Sequence, residues 1–433
     1  MIIRINLLKK IYLFISIFYY TGFLNFFTKL ATGPTNTEGS INMHASGSMT
    51  RQILGVVLLI SGIYILLKVD KIIVWKSVRN NYNWVLLIGY FLISMQWSYE
   101  PDITFRRTIA FSTLLVSAFC IVHIIEMKSL LALIGKAIFC AAIFGLVYAI
   151  IDPSNGLINS GNRTNVLIGI YGDKNAGARV YAYGLLILVG LGRTSTYMDK
   201  FMLLTLTFCL IIAESATAIV MVLGGLSLML LFNFFHTNIN KKNLVRMFII
   251  IIIIVLTSIS VGYLYDYILQ LLGRDQTLTN RTIIWEMMDI YIQNEPMLGY
   301  GFGAFWSSDA VISFVDRWGY IANAHSGYYE VLLHGGKVGF ILLFLLIFST
   351  LRSLTMNYIS HQHGKIFCIF ISIYLIQLIV NYVAFILLNH NSFDMFLLAV
   401  ISFISSRELA VNSKGSNSLK NSINLINNKN TFS

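Results

Sequence analysis

Charge is what this sequence has least of. Asp, Glu, Lys and Arg make up 12% of its 433 residues, against 57% apolar residues. A soluble chain of this length has a large surface to solvate and carries about twice that charge. The shortage excludes an ordinary water-soluble globular protein. Cysteine is sparse too: Cys120, Cys140, Cys209 and Cys368 all fall within apolar stretches. That placement argues against a disulfide framework and against a thiolate metal site. A P-loop, a G-x-S-x-G elbow and an H-E-x-x-H pair are absent, and no internal repeat is visible. Without a nucleotide site, any chemistry must take its energy from a substrate that is already activated.

What the chain does have is long apolar runs. Windows of about 20 residues give about twelve candidate spans, a length suited to about 30 Å of hydrocarbon. They lie near 5–27, 52–69, 82–97, 107–126, 130–151, 176–192, 201–213, 216–236, 247–266, 336–356, 366–388 and 391–406. The expected fold class is therefore an all-α polytopic membrane protein. The basic N-terminus (Arg4, Lys9, Lys10) ahead of an apolar run resembles a signal peptide, but so many later spans favour a retained first helix. Residues 1–266 are expected to hold the first nine helices with short external loops. A large external loop follows at 267–335, then three helices at 336–406, then a disordered cytoplasmic tail at 407–433 rich in Asn, Ser and Lys.

Orientation follows from charge. With the N-terminus in the cytoplasm, cytoplasmic segments hold 20 of the 31 basic residues and 4 of the 19 acidic ones. The outside keeps 11 basic against 15 acidic residues. The net charge of +12 is thus a positive-inside signature and gives no sign of a nucleic-acid partner. Two long loops fall outside, near 152–175 and 267–335, and loops of the second one's length are usually functional.

The large loop has three parts. In TLTNRTIIWEMMDIYIQ an amphipathic helix is expected, capped near Asn280, with Arg281, Trp285 and Met288 on one face. Arg281 reads either as a solvated interfacial residue or as a phosphate-binding fork, with Trp285 able to stack on a sugar. EPMLGYGFGAFW alternates glycine with aromatics, Tyr300 among them, and suits either an interfacial aromatic loop or a backbone that approaches a ligand closely. NAHSGYYEVLLHGGKVGF places His325 just before the chain re-enters the membrane. A lone histidine is more often structural, yet this is a sensible place for a general base acting on a lipid-linked substrate. Tyr328 and Tyr329 are candidate sugar contacts, Glu330 a candidate to orient His325, and His334 reads as a helix-end or interface residue. Two further external clusters are basic: Arg106 and Arg107 at the entry to the fourth span, and Lys174, Asn175 and Arg179 at the entry to the sixth. Each is either a snorkelling anchor or part of an anion site. Together, on the face where the positive-inside rule disfavours cations, they point to a bound diphosphate.

These motifs in this order resemble the O-antigen ligase/polymerase superfamily of bacterial envelope glycosyltransferases. The elements are Ser98, Pro101, Arg106 and Arg107; Gly172 to Asn175; Arg281 and Trp285; Pro296 to Phe305; and Ala324 to Glu330 with Gly336 and Gly339. The resemblance covers about residues 50–405 and implies a GT-C-like fold in the bacterial inner membrane, with an active site facing the periplasm or exterior. It also implies an undecaprenyl-diphosphate-linked glycan donor, no cofactor, and metal-independent transfer with inversion. The acceptor would be a glycan or lipid A-core, and the partners would include membrane lipids, a flippase and a chain-length regulator. Residue by residue, His325 matches the catalytic histidine, while Arg281, Arg106, Arg107 and Lys174 match positions near the diphosphate.

Two departures stand out. Ser326 follows the histidine where the family commonly has Asn, and AESATAIV puts Ala216 where the ligase branch has an arginine. The second favours polymerisation of O-antigen or exopolysaccharide repeats over ligation to lipid A-core. A lipid-linked oligosaccharide transporter is the alternative of another class. Transporters place ionisable residues near the bilayer midplane and often show repeated halves, whereas here charge gathers in external loops.

Overall fold

The structure, a computed structural model, describes residues 2–32, 49–160, 163–237, 281–319, 321, 323–360 and 364–429. The chain is helical nearly throughout. In order come α1 (Ile2–Tyr20), α2 (Leu24–Thr32), α3 (Met49–Leu66), α4 (Lys71–Asn80), α5 (Tyr82–Ile93), α6 (Pro101–Ile124) and α7 (Met127–Ile151). A two-stranded antiparallel hairpin follows, β1 (Leu157–Ser160) with β2 (Arg163–Leu167), Leu157 opposite Leu167. Next are α8 (Lys174–Gly190), α9 (Tyr197–Ile212), α10 (Ala216–Thr237), α11 (Arg281–Asn294), α12 (Ile312–Trp318), α13 (Gly327–Ile359), α14 (Gly364–Val380) and α15 (Phe393–Lys429).

Helix starts follow local chemistry. Pro101 occupies the first turn of α6, where its missing N–H costs nothing. Asp173 caps α8 by accepting the amide of Ala176 at 3.0 Å. Thr196 and Asp199 form a reciprocal capping box on α9.

This is an all-α polytopic membrane protein. Among the described residues five helices are long and apolar enough to cross a membrane: α3, α6, α7, most of α10, and α13. A helix also stands at each other expected span except 247–266, which lies outside the described residues. Only 17% of the apolar window of α3 is buried, and Val56, Val57, Ile60 and Ile63 are exposed along it. In water each such side chain forgoes about 1.5–3 kcal/mol of burial energy; in hydrocarbon the penalty vanishes. The helices pack closely where glycine allows. A Cβ on Gly225 of α10 would lie 2.7 Å from the end of the Leu186 side chain of α8, so the glycine lets that side chain pack directly against the α10 backbone.

Three expected boundaries move. The helix expected to start at 336 begins at Gly327 and runs through a kink at Gly336, whose φ is +56°. The span expected over 366–388 ends at Val380, and residues 381–392 form an irregular segment. The helix expected to end near 406 continues to Lys429.

Successive helices gather their ends at two poles. At one pole Tyr171 donates to the carbonyl of Thr21 at 2.9 Å, and the Tyr99 amide donates to Tyr300 at 3.1 Å. At the other, Tyr358 donates to Phe232 at 2.7 Å and Arg407 donates to the carbonyls of Val122 and Ile125. The described residues of the large loop and the candidate site residues named above lie at the first pole.

Candidate active site

The centre of the first pole is the turn that carries His325. Its backbone φ is +52°, a left-handed conformation that a non-glycine residue rarely adopts. Five hydrogen bonds hold it there. The side chain of Asn323 accepts from the His325 amide at 2.9 Å, and the carbonyl of Ala324 accepts from Trp285 Nε1 at 2.9 Å. Glu330 Oε1 accepts from the Ala324 amide at 2.6 Å. The Gly327 amide donates to the carbonyls of both Asn381 and Ala384, each at 2.9 Å. A strained residue fixed from so many sides is a mark of a functional site.

His325 itself is half-buried. Its pKa is lowered from the ordinary 6.5, first by burial and next by the positive charge of Arg281. The carboxylates of Asp173 and Glu330 pull upward, and Arg179 pushes down again. These causes together favour the neutral ring, the form in which imidazole accepts a proton. Arg281 opens α11, as expected, and donates from Nη1 to the Val383 carbonyl at 2.8 Å. Asn280, the expected cap, lies outside the described residues.

Other candidates prove to be supports of this turn. Trp285 is 6% exposed and stacks on Tyr329 with ring centres 5.7 Å apart and planes 9° from parallel. Its ring is packed inside the protein, so its observed work is to hold Ala324. Glu330 does not orient the His325 ring: one oxygen takes Trp306 Nε1 at 2.8 Å as well as the Ala324 amide, and the other lies 3.3 Å from His334 Nε2. His334, expected at a helix end or an interface, is buried within α13. Tyr328 donates to the Leu378 carbonyl at 2.8 Å, and Tyr300 to that of Tyr291 at 2.9 Å. Both hydroxyls are thus used internally.

The glycine-aromatic loop is no interfacial fringe. Tyr300, Phe302, Phe305 and Trp306 are at most 2% exposed, and Phe302 stacks on Phe91 with centres 4.2 Å apart. The backbone around Gly299 lies against the kink of α13: Tyr300 donates to Leu333 at 2.8 Å, and Lys337 donates to Pro296 at 2.9 Å. Gly299 has φ +66°, and a Cβ there would sit 2.7 Å from the Leu333 oxygen. Glycine is required on both counts. The close backbone approach expected from this loop is to another segment of the chain.

The remaining cations divide. Lys174, 5% exposed, donates to the Glu214 carbonyl at 3.1 Å, and Asn175 accepts from Ser215 at 3.0 Å, which ties the start of α8 to that of α10. Arg179 is in a buried fork with Asp394, with contacts of 3.0, 3.2 and 2.9 Å, and Tyr183 donates to the same carboxylate at 2.9 Å. Arg107 donates to the Gly303 carbonyl and, at 3.2 Å, to Ser307. Arg106 is exposed. Arg106 and Arg107 line a cavity to which His325, Arg281, Lys174, Asn175 and Arg179 contribute no wall.

Sequence reasoning missed Asp394 and the 381–392 segment. That segment supplies the carbonyls of Asn381, Val383 and Ala384 to the His325 turn and to Arg281. Asn381 shapes it by accepting the amides of Ile386 and Leu387 at 3.2 and 2.9 Å. The signal was the isolated Asn381 within an apolar run.

Residues 201–344 match the O-antigen ligase family model. That stretch contains Arg281, Trp285, His325, Glu330 and the glycine-aromatic loop. The chain is also similar to the exopolysaccharide production protein ExoQ of Rhizobium meliloti strain 1021, at 24% identity over 302 aligned residues. Over these stretches the chain is similar to the O-antigen ligase/polymerase-like superfamily. The alignment takes in 63% of this chain and 66% of the relative, just under two thirds of that protein's length. Ala216, expected from the resemblance to stand where a ligase branch carries an arginine, lies within the matched stretch. It is 3% exposed and packs with Val220, Trp285 and Val383, so an arginine there would displace the packing beneath the His325 turn.

Proposed function

We propose that this chain is a membrane glycosyltransferase that polymerises O-antigen or exopolysaccharide repeat units from an undecaprenyl-diphosphate-linked donor. The observation that carries this reading is the His325 turn: a left-handed histidine, half-buried, its pKa lowered, one electrostatic step from Arg281. An acceptor hydroxyl attacks the anomeric carbon of the donor as its proton passes to His325. The bond from that carbon to the diphosphate oxygen breaks with inversion, and the electron pair leaves on undecaprenyl diphosphate. Arg281, with further donors in its fork, stabilises that growing charge, and Lys174 supports it from the start of α8. The imidazolium then returns its proton to solvent. The positive-inside charge distribution supports reading this pole as the one outside the cytoplasm, in a bacterial inner membrane.

Purified protein in vesicles, given lipid-linked repeats, tests the reading. A ladder of products on the lipid diphosphate is the expected result. Transfer to lipid A-core with no ladder would make the protein a ligase, and movement of intact lipid-linked glycan without new bonds would make it a transporter. Ala216, filled where the ligase branch carries an arginine, favours the polymerase.

A further inference from the structure

The cavity lined by Arg106 and Arg107 is not used by this mechanism. It has a volume of about 340 Å³ and lies between α1, α3, α6 and the 381–392 segment. Arg51, Arg106, Arg107 and His390 share its walls, and no carboxylate does so among the described residues. Arg51 donates to the neutral side-chain oxygen of Asn25 at 3.1 Å. Two of the three arginines, Arg51 and Arg106, stand exposed at the rim. Guanidinium forks around a carboxylate-free pocket are suited to phosphate oxygens.

Below the cations the walls turn apolar. Val56 lies just over a turn along α3 from Arg51, and Ile109 lies about a turn along α6 from Arg106. The face of α3 then continues with the exposed Val57, Ile60 and Ile63. Anion donors at the membrane surface above an apolar wall that runs into hydrocarbon fit an amphiphile with a phosphate headgroup.

We propose that this cavity is a second lipid-phosphate site, which anchors the phosphate-bearing headgroup of the acceptor lipid while its glycan reaches to His325. The assignment to the acceptor rests on the transferase reading. In such a reaction the donor phosphate must adjoin the reacting carbon, whereas the acceptor's own phosphate sits at the far end of its glycan. Two anion sites are then required, and the cavity shares no wall with Arg281 or Lys174. The segment 381–392 joins them: Val383 receives Arg281, while His390 lines the cavity.

The test uses the full chain in phosphatidylcholine nanodiscs, with farnesyl diphosphate as probe and native mass spectrometry as readout. Wild type should bind two molecules, Arg51→Gln with Arg106→Gln only one, and Arg281→Gln only one. With that double variant, the lost site should weaken at least tenfold. Two sites surviving in the double variant would overturn the proposal. Inorganic pyrophosphate competing as well as the farnesyl compound would show a free-anion site and overturn the lipid assignment. Phosphatidylglycerol in the nanodisc displacing the probe from the Arg51-dependent site would show a bulk-lipid site and overturn the acceptor role. In the transfer assay Arg51→Gln should raise KM for the acceptor tenfold and leave that for the donor unchanged; the reverse pattern sinks the acceptor role. Should the double variant fail to fold, the rim variant Arg51→Gln is read alone, with recovery expected in Arg51→Lys. Transfer at the wild-type rate by His325→Ala would end the base assignment while leaving the binding count standing, so the two failures are separable.

Discussion

Trp285 donates its indole N–H to the carbonyl of Ala324 at 2.9 Å, across 39 residues of sequence. The residue thus held is the one before His325, so the amphipathic helix α11 sets the position of the candidate base as well as carrying Arg281. This single bond joins the R-x-x-x-W and A-H-S-G elements of the sequence. Replacing Trp285 with Phe keeps a ring against Tyr329 but removes the donor. A buried carbonyl left unsatisfied costs about 1–3 kcal/mol, and the turn relaxes. We expect kcat to fall by about tenfold with KM for donor little changed. A wild-type kcat would show that the ring alone supports the turn.

Glu330 gathers three groups at one buried carboxylate: the Ala324 amide, Trp306 Nε1 and, 3.3 Å away, His334. It binds the glycine-aromatic loop and the His325 turn to the first turns of α13. Glu330→Ala leaves two buried donors without acceptors, for a loss of about 2–6 kcal/mol on that count alone. Glu330→Gln keeps an oxygen for them and should retain most of the stability. Thermal unfolding of the two variants checks this ordering, and equal melting temperatures for both would remove Glu330 from its positioning role.

How much of this was legible in the sequence can be read from these same residues. The apolar runs gave the fold class and most helices, because hydrocarbon demands length and composition and little else. His325 and Arg281 were legible as candidates because polar residues at the mouth of a span need a reason. The roles of Trp285, Tyr300 and Glu330 were not. Their types suit sugar binding and internal support equally well, and only the three-dimensional path of the chain decides. The Asp394 partner of Arg179 was hidden for a different reason: 215 residues separate the two, and no spacing rule reaches that far.

Arg179 and Asp394 are buried, with side chains 9% and 3% exposed. Breaking such a pair leaves an uncompensated charge and typically costs about 3–5 kcal/mol. Arg179→Ala and Asp394→Asn should each lower the melting temperature of the full chain markedly. The double change Arg179→Met with Asp394→Leu removes both charges and should recover much of the loss. If Arg179→Ala melted as wild type does but lost affinity for farnesyl diphosphate, Arg179 would belong to a diphosphate clamp rather than to the frame.

Gly299 and Gly336 meet backbone to backbone where the loop docks on the kink of α13. A Cβ on Gly336 would lie 2.4 Å from the Met297 carbonyl, and one on Gly299 would lie 2.7 Å from the Gly336 amide. Both residues also have positive φ, at +56° and +66°. Alanine at either place must shift main chain rather than a flexible side chain. We expect Gly299→Ala to destabilise the loop and to open the buried aromatic cluster, giving faster amide exchange over 296–306. Exchange unchanged from wild type in that window would show that the loop is held from elsewhere.

The pH dependence separates a catalytic His325 from a structural one. Burial and the charge of Arg281 lower its pKa below the ordinary 6.5. A base must be neutral to act, so kcat/KM should hold below pH 6.5 and fall only as the solution becomes more acidic than the shifted pKa. The sign for Arg281 then follows. Removing its charge in Arg281→Gln takes away a cause that favours the neutral ring, so the pKa rises and the acidic limb moves to higher pH. Loss of leaving-group stabilisation lowers the plateau at the same time. Arg281→Lys keeps the charge but not the fork, so it should lower the plateau without moving the limb. A structural His325 would give rate changes in these variants with the limb in one place. A plateau that fell while the limb stayed fixed in Arg281→Gln would therefore remove His325 from the chemistry.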